Sequence, residues 1–131
     1  MQSARSTSSM AASKASHHQE RADLAAAFRW AARLNFHEGV ANHFSVAVNE
    51  DGTQFLMNPN QSHFSRIKAS DLILVDANDP ETMNRPNAPD PTAWGLHGAL
   101  HRQCQHARVA LHVHSILSLI HISEPTRLQD I

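Results

Sequence analysis

The sequence lacks the residues and patterns that define several classes of protein. Its 131 residues include one cysteine, Cys104, so no disulfide can form within the chain, and a reducing compartment is expected. No segment approaches the roughly 20 apolar residues of a membrane helix. Eleven Lys and Arg stand against twelve Asp and Glu without a basic stripe, so composition supports binding to neither nucleic acid nor membrane. These absences predict a cytoplasmic protein.

What is present is ordinary globular composition and many histidines. Hydrophobic residues make up 41% and charged residues 18%, which fits a small folded domain, and there are eleven histidines. The first residues, MQSARSTSSMAASKAS, have no apolar stretch typical of a secretory signal. We expect residues 1–18 to be a disordered leader and the domain to begin at Gln19.

A first helix is predicted after the leader. Leu24, Phe28 and Ala31 lie at helical spacing among several alanines, which favour helix. Trp30 is expected to be partly covered, and Gly39 is a suitable stop.

Strand patterns follow this helix. The segment HFSVAVNEDGTQFLMNP predicts a β-hairpin, since Val46 and Val48 alternate and Asp51-Gly52 suits the turn. A third strand is predicted at Leu72–Val75. The proline-rich segment DPETMNRPNAPDP is expected to be a loop.

A second helix and a last strand complete an α-β-β-β-α-β order. Asp90 is a suitable N-cap and Pro91 a suitable first helical residue for PTAWGLHGALHRQCQH. This helix would carry along one side Trp94, His97, Leu100, His101 and Cys104. The segment ARVALHVHS predicts a buried strand, with one face formed by Val109, Leu111 and Val113.

The other face of that strand carries His112 and His114. Residues i and i+2 of a strand project to the same side, so the two imidazoles should lie together. Neutral imidazoles are common metal ligands, but zinc requires three or four ligands. The pattern alone therefore leaves two interpretations open: half of a metal site, or two histidines that only form local hydrogen bonds.

Three segments, in order, carry a family resemblance. GVANHFSVAV, FLMNPNQSHFSRIKASDLILVD and PTAWGLHGALHRQCQHARVALHVHS together resemble the class II aldolase/adducin family, from about Asp23 to Ser115. The resemblance implies a three-layer α/β/α domain with a mostly antiparallel central sheet. It also implies a divalent metal, usually zinc, bound by His112, His114 and a later histidine, and commonly a homo-oligomer, a tetramer with its site near a subunit contact.

The resemblance implies a chemistry as well. Family enzymes are lyases in which the metal acts as a Lewis acid and stabilises an enediolate while a carbon–carbon bond is cleaved or made. Expected substrates are small oxo- or hydroxy-acids or sugar derivatives. Adducin-like members of the family are not enzymes, so a catalytically silent binding or assembly module is the alternative.

The chain departs from the family at the acid/base position. The family's carboxylate lies nineteen residues before the first metal ligand, and here that position is Ala93, which cannot transfer a proton. The catalytic group is therefore unknown from the sequence. His97 and His101 are candidates because they lie one turn apart, but they are equally compatible with packing or helix-surface positions.

The substrate-binding segments also differ from those of sugar-phosphate enzymes. The resemblance places candidates for substrate binding at Asn42, His43, Asn58 and Asn60. Gln61 stands where a glycine is usual in the family, which argues against the same close approach of backbone N–H groups to a phosphate. The alternative is that NPNQSH is a polar turn.

The C-terminal tail does not continue the family pattern. Residues 117–127, LSLIHISEPTR, resemble the translation of a transposase adapter used in sequencing-library preparation. We therefore expect residues 117–131 to be non-native and residues 19–116 to be a fragment of the domain, with exposed apolar strand surface and low solubility. His121 is accordingly not taken as the third ligand. A genuine divergent C-terminus is the alternative.

Overall fold

The computed structural model describes residues 16–38 and 42–115. Two helices and four strands form within them: α1 His18–Arg33, β1 His43–Ala47, β2 Gln54–Met57, β3 Ile73–Asp76, α2 Pro91–Gln103 and β4 Val109–His112. Short 3-10 helices lie at Phe64–Arg66, Ala69–Asp71 and Pro80–Asn84. The predicted α-β-β-β-α-β order is confirmed. The expected leader, the stop at Gly39 and the expected non-native tail lie outside the described residues.

The four strands form one antiparallel sheet in the order β3-β2-β1-β4. β1 and β2 make the predicted hairpin, and Gly52 in its turn has φ 73°, a left-handed conformation that glycine adopts without strain. β1 is central, and its register sets His43 opposite His112 on β4. The fold therefore brings a histidine of the hairpin beside the histidine pair at the end of the last strand.

The two helices cover opposite faces of the sheet. On one face, Leu24 and Phe28 of α1 pack into a buried cluster with Phe44 and Leu56. The Phe28 ring stacks on that of Phe44 at a centroid distance of 4.8 Å.

On the other face, Ala93 of α2 packs against Phe55 and Met57. Because successive strand residues alternate between faces, Leu56 faces α1 while its neighbours face α2. The predicted three-layer α/β/α arrangement with an antiparallel sheet is confirmed.

Helix α2 begins where the sequence predicts. Asp90 accepts a hydrogen bond from the backbone N–H of Ala93 at 2.9 Å, and Pro91 occupies the first turn. The side turned to the sheet contains four buried residues: Ala93, His97, Gly98 and His101. Leu100, expected on this side, is 36% exposed. The helix therefore turns both of its candidate catalytic histidines inward.

Two expectations about burial are wrong. Trp30 is 59% exposed, because it lies two residues beyond Phe28 and so on the far side of α1. The first face of β4 is also exposed, with Leu111 at 56%, and Val109 and Val113 are exposed beside it. The buried cluster beneath α1 contains no residue of β4, so nothing in the described part of the chain covers this face.

No helix within residues 16–38 and 42–115 is both long and apolar enough to cross a membrane.

Candidate functional site

Five histidines from three elements meet at the junction of β1, β4 and α2: His43, His97, His101, His112 and His114. The strand register places the ring of His43 flat against that of His112, with centroids 4.5 Å apart and planes 11° from parallel. His43 also meets His97 of α2 edge to face, at 4.8 Å. These five residues are nearly half of the eleven histidines in the sequence.

His112 and His114 project together, as their i, i+2 spacing predicts. Their Nε2 atoms lie 2.7 Å apart. His114 is held by its backbone, whose N–H donates to the side-chain oxygen of Asn42 at 2.7 Å, and by a parallel bridge to His37. The end of β4 is thus fixed by two segments that precede β1 in the chain.

This pair fits two positions of a metal site. On a tetrahedral zinc with Zn–N bonds of about 2.0–2.1 Å, two nitrogens lie about 3.3 Å apart, so a small rotation of either ring would admit an ion. Burial, and then the neighbouring His114, lower the pKa of His112, which favours the neutral ring that a metal requires. Across the described ranges, no group of three or more His, Cys, Asp or Glu side chains is arranged to hold a metal.

The remaining histidines form a buried hydrogen-bonded chain with a serine. His43 Nδ1 lies 2.8 Å from His97 Nε2. The hydroxyl of Ser45 bridges His97 Nδ1 at 2.5 Å and His101 Nε2 at 2.7 Å. His101 Nδ1 then lies 3.0 Å from the backbone oxygen of Ala107. Ser45, His97 and His101 are all 2% exposed or less, so water does not compete for these bonds.

The three imidazole rings of this hydrogen-bonded chain, His43, His97 and His101, are neutral at pH 7. Burial, reinforced by His43 and His101, lowers the pKa of His97 to about 4. Burial also lowers the pKa of His43 and that of His101. Each ring therefore has one protonated nitrogen and one lone pair.

Comparison with known proteins decides the family. The model of the Class II Aldolase and Adducin N-terminal domain matches residues 22–123. The chain belongs to this family. A Pseudomonas aeruginosa protein named for aldolase class 2 is 35% identical over 98 residues, which cover 74% of this chain and 37% of that protein. The decarboxylase NovR of Streptomyces niveus is 32% identical over 93 residues, covering 70% of this chain and 34% of the decarboxylase.

A solved structure shows the same fold. L-fuculose 1-phosphate aldolase from Glaciozyma antarctica superposes with a TM-score of 0.64 and 25% identity, over 75% of this chain and 41% of the aldolase. The chain thus spans between a third and about two fifths of the length of these class II aldolase relatives.

Two of the predicted substrate-binding residues have their side chains engaged by backbone. Asn42 donates to the backbone oxygen of Glu38 at 3.0 Å while accepting from His114. Asn58 accepts from the N–H of Phe44 at 3.1 Å and donates to the backbone oxygen of Asn42 at 3.3 Å. Both are buried and hold β1 against its neighbours.

The other two predicted substrate-binding residues lie differently. Asn60 is exposed, and His43 is half-buried beside the histidine pair. Gln61, where the family favours glycine, has φ 58°, so the turn keeps a left-handed backbone without the small residue. Participation of any of the four predicted residues in substrate binding stays a prediction.

The position of the family carboxylate is part of the core. Ala93 is fully buried in the cluster that joins α2 to β2 and β3. Ser45, the central residue of the buried hydrogen-bonded chain, was not among the site residues predicted from the sequence. Its signal was available, because Ser45 follows His43 by two residues on β1 and so shares its face.

Proposed function

We propose that this class II aldolase-family chain is part of a divalent-metal-dependent lyase, with zinc as the metal and His112 and His114 as two of its ligands. The observation that carries the proposal is the 2.7 Å approach of their Nε2 atoms at the end of β4. Two nitrogens with lone pairs at this separation repel each other unless a proton or a cation lies between them. In the metal-free chain a proton shared in an N–H···N hydrogen bond fills this place, and a divalent cation bound by both Nε2 atoms would replace that proton.

The metal, when bound, supplies Lewis-acid stabilisation of negative charge that develops on a substrate oxygen. The residues of the chain supply the setting. Asn42 fixes the backbone of His114, which limits the directions from which the His114 ring can reach a metal ion. The flat contact of His43 with His112 covers one face of the His112 ring.

The substrate class we propose is a small oxo- or hydroxy-acid or a sugar derivative, with cleavage of a carbon–carbon bond as the reaction. Support comes from two relatives whose names specify a decarboxylase and an aldolase. Cleavage of a carbon–carbon bond next to a carbonyl leaves negative charge, which a metal at the histidine pair would offset.

The test is turnover by the zinc-loaded protein. L-fuculose 1-phosphate and a 4-hydroxy-2-oxo acid are supplied in turn, and the released aldehyde is measured by mass spectrometry. We expect cleavage of at least one compound, loss of cleavage on adding a chelator and in His112→Ala, and retention in His106→Ala, which removes an exposed histidine from a turn.

The second candidate is a catalytically silent, adducin-like binding or assembly module. Ala93 favours it, because the family's acid/base position lies in the core here and offers no ionisable group. Stoichiometric zinc without turnover of either compound, together with unchanged folding in His112→Ala, would favour this module over the lyase.

Assembly and location belong to the same proposal. We propose a homo-oligomer, a tetramer in the complete protein, and a cytoplasmic location. The exposed apolar face of β4 and the single cysteine support these two features respectively. Light scattering of the purified protein and cell fractionation test them.

A further inference from the structure

The buried histidine chain ends on a backbone carbonyl, and this end determines the direction of every hydrogen bond in it. The oxygen of Ala107 can only accept, so Nδ1 of His101 must carry a proton and donate to it. A neutral imidazole has one N–H. Nε2 of His101 is therefore a lone pair and needs a donor.

Ser45 is the donor, and its single hydroxyl proton is used in this way. The hydroxyl donates to Nε2 of His101, so its oxygen can only accept from Nδ1 of His97. Nε2 of His97 is then a lone pair in turn, and it accepts from Nδ1 of His43. The three rings are thus all protonated on Nδ1.

The other end of the hydrogen-bonded chain is His43, which lies beside the histidine pair. With Nδ1 of His43 donating to His97, Nε2 of His43 is left unprotonated. The ring of His43 is only half-buried, and it lies flat on the ring of His112, one of the two proposed metal ligands. A substrate held at the histidine pair would therefore meet a fixed nitrogen lone pair beside it.

We propose that His43 Nε2 is the hydrogen-bond acceptor for a substrate hydroxyl at this site, and that His97, Ser45 and His101 are positioning residues that fix its tautomer. That a substrate binds beside His43 rests on the proposed metal-dependent function. The assignment of the tautomers rests only on the geometry of the hydrogen bonds. His43 Nε2 thus supplies a hydrogen-bond acceptor in a protein that has Ala93 where family enzymes have a carboxylate. The buried His97 and His101 act on substrate binding without contacting the substrate.

The first experiment reads the tautomers directly in the metal-free protein. Histidine is labelled with 15N, and each ring nitrogen is observed by NMR through its long-range couplings to ring protons. An unprotonated ring nitrogen resonates far downfield of a protonated one, so the spectrum identifies the tautomer. We expect Nδ1–H with bare Nε2 in His43, His97 and His101. A wild-type His43 protonated on Nε2 overturns the inference, and this result requires no variant to fold.

A variant pair tests whether the chain sets that tautomer. In Ser45→Ala, His97 loses its acceptor and can place its proton on Nε2, which would move the proton of His43 to Nε2. The matched control is Ser65→Ala, which removes an exposed serine hydroxyl 2.7 Å from His63 Nδ1 and should leave His43 unchanged. An unchanged His43 tautomer in folded Ser45→Ala overturns the positioning role.

Ligand addition separates this inference from the proposed function. Zinc with glycolaldehyde is compared with zinc and acetaldehyde, which lacks the hydroxyl. We expect His112 and His114 to respond to zinc, and Nε2 of His43 to shift with glycolaldehyde only. No response of the pair to zinc refutes the metal site, whereas a zinc response with equal effects of both aldehydes on His43 refutes the acceptor role.

Discussion

Gly52 should be among the least replaceable residues of the chain. It lies in the turn between β1 and β2, with φ 73°, where an L side chain costs about 1–2 kcal/mol. A Cβ built there would lie 2.2 Å from the backbone oxygen of His101 and 2.6 Å from its carbonyl carbon. Ordinary contact distances are more than 1 Å longer, so the turn and the end of α2 would have to separate.

The expected cost of Gly52→Ala is about 2–5 kcal/mol. The backbone conformation contributes about 1–2 kcal/mol and the overpacking about another 1–3 kcal/mol, because the opposing atoms belong to backbone and not to a flexible side chain. The displaced residue is His101, so the same substitution should also weaken the bond from its Nδ1 to Ala107.

The matched control is Gly95→Ala within α2. A Cβ at Gly95 would meet no atom within 4 Å, and the residue is exposed. Alanine is favoured over glycine in a helix interior by about 1 kcal/mol, so this variant should be more stable than wild type. Urea unfolding followed by tryptophan fluorescence measures both. A Gly52→Ala protein within 1 kcal/mol of wild type, or a destabilised Gly95→Ala, would refute the packing described.

Three further predictions concern the site and the exposed strand. The pKa of His97 is lowered from 6.5 to about 4 in the folded protein, so as the pH falls the unfolded chain binds a proton before the folded one does. The free energy of unfolding should therefore be constant above pH 7 and about 2 kcal/mol lower at pH 5. Urea unfolding across that range checks this, and constant stability contradicts it. Ala93→Glu should lower stability by about 3 kcal/mol or more without creating cleavage activity, because the site is fully buried among apolar side chains; a stable, active variant would show that the family carboxylate can be restored. Leu111→Thr, at a 56% exposed strand position, should change stability by less than about 0.5 kcal/mol and increase the soluble fraction; a large loss of stability would mean that this face is covered.

Local sequence patterns were sufficient for the elements that bound the site. The stripe Leu24, Phe28 and Ala31 predicted the buried side of α1, and Asp90 with Pro91 predicted the start of α2. These patterns depend on nearest neighbours along one element, so they can be read without knowing the fold. The histidine pair is of the same kind, because two residues of one strand share a face whatever the sheet around them.

The buried chain could not be predicted in that way. Its bonds join Ser45 to His97 and His101, 52 and 56 residues apart, and they depend on how α2 crosses β1. The exposure of Leu111 has a related cause, since burial of a strand face depends on which element covers it, and α1 packs over the other strands of the sheet.

The most direct test of the proposed metal centre is the zinc content of the complete protein, which would supply the ligands that residues 16–38 and 42–115 lack, after dialysis against zinc and then against zinc-free buffer. We predict one zinc per chain in wild type, its loss in His114→Ala, and its retention in His106→Ala. The absence of stoichiometric zinc in wild type, or its persistence in His114→Ala, would contradict a metal centre at the histidine pair.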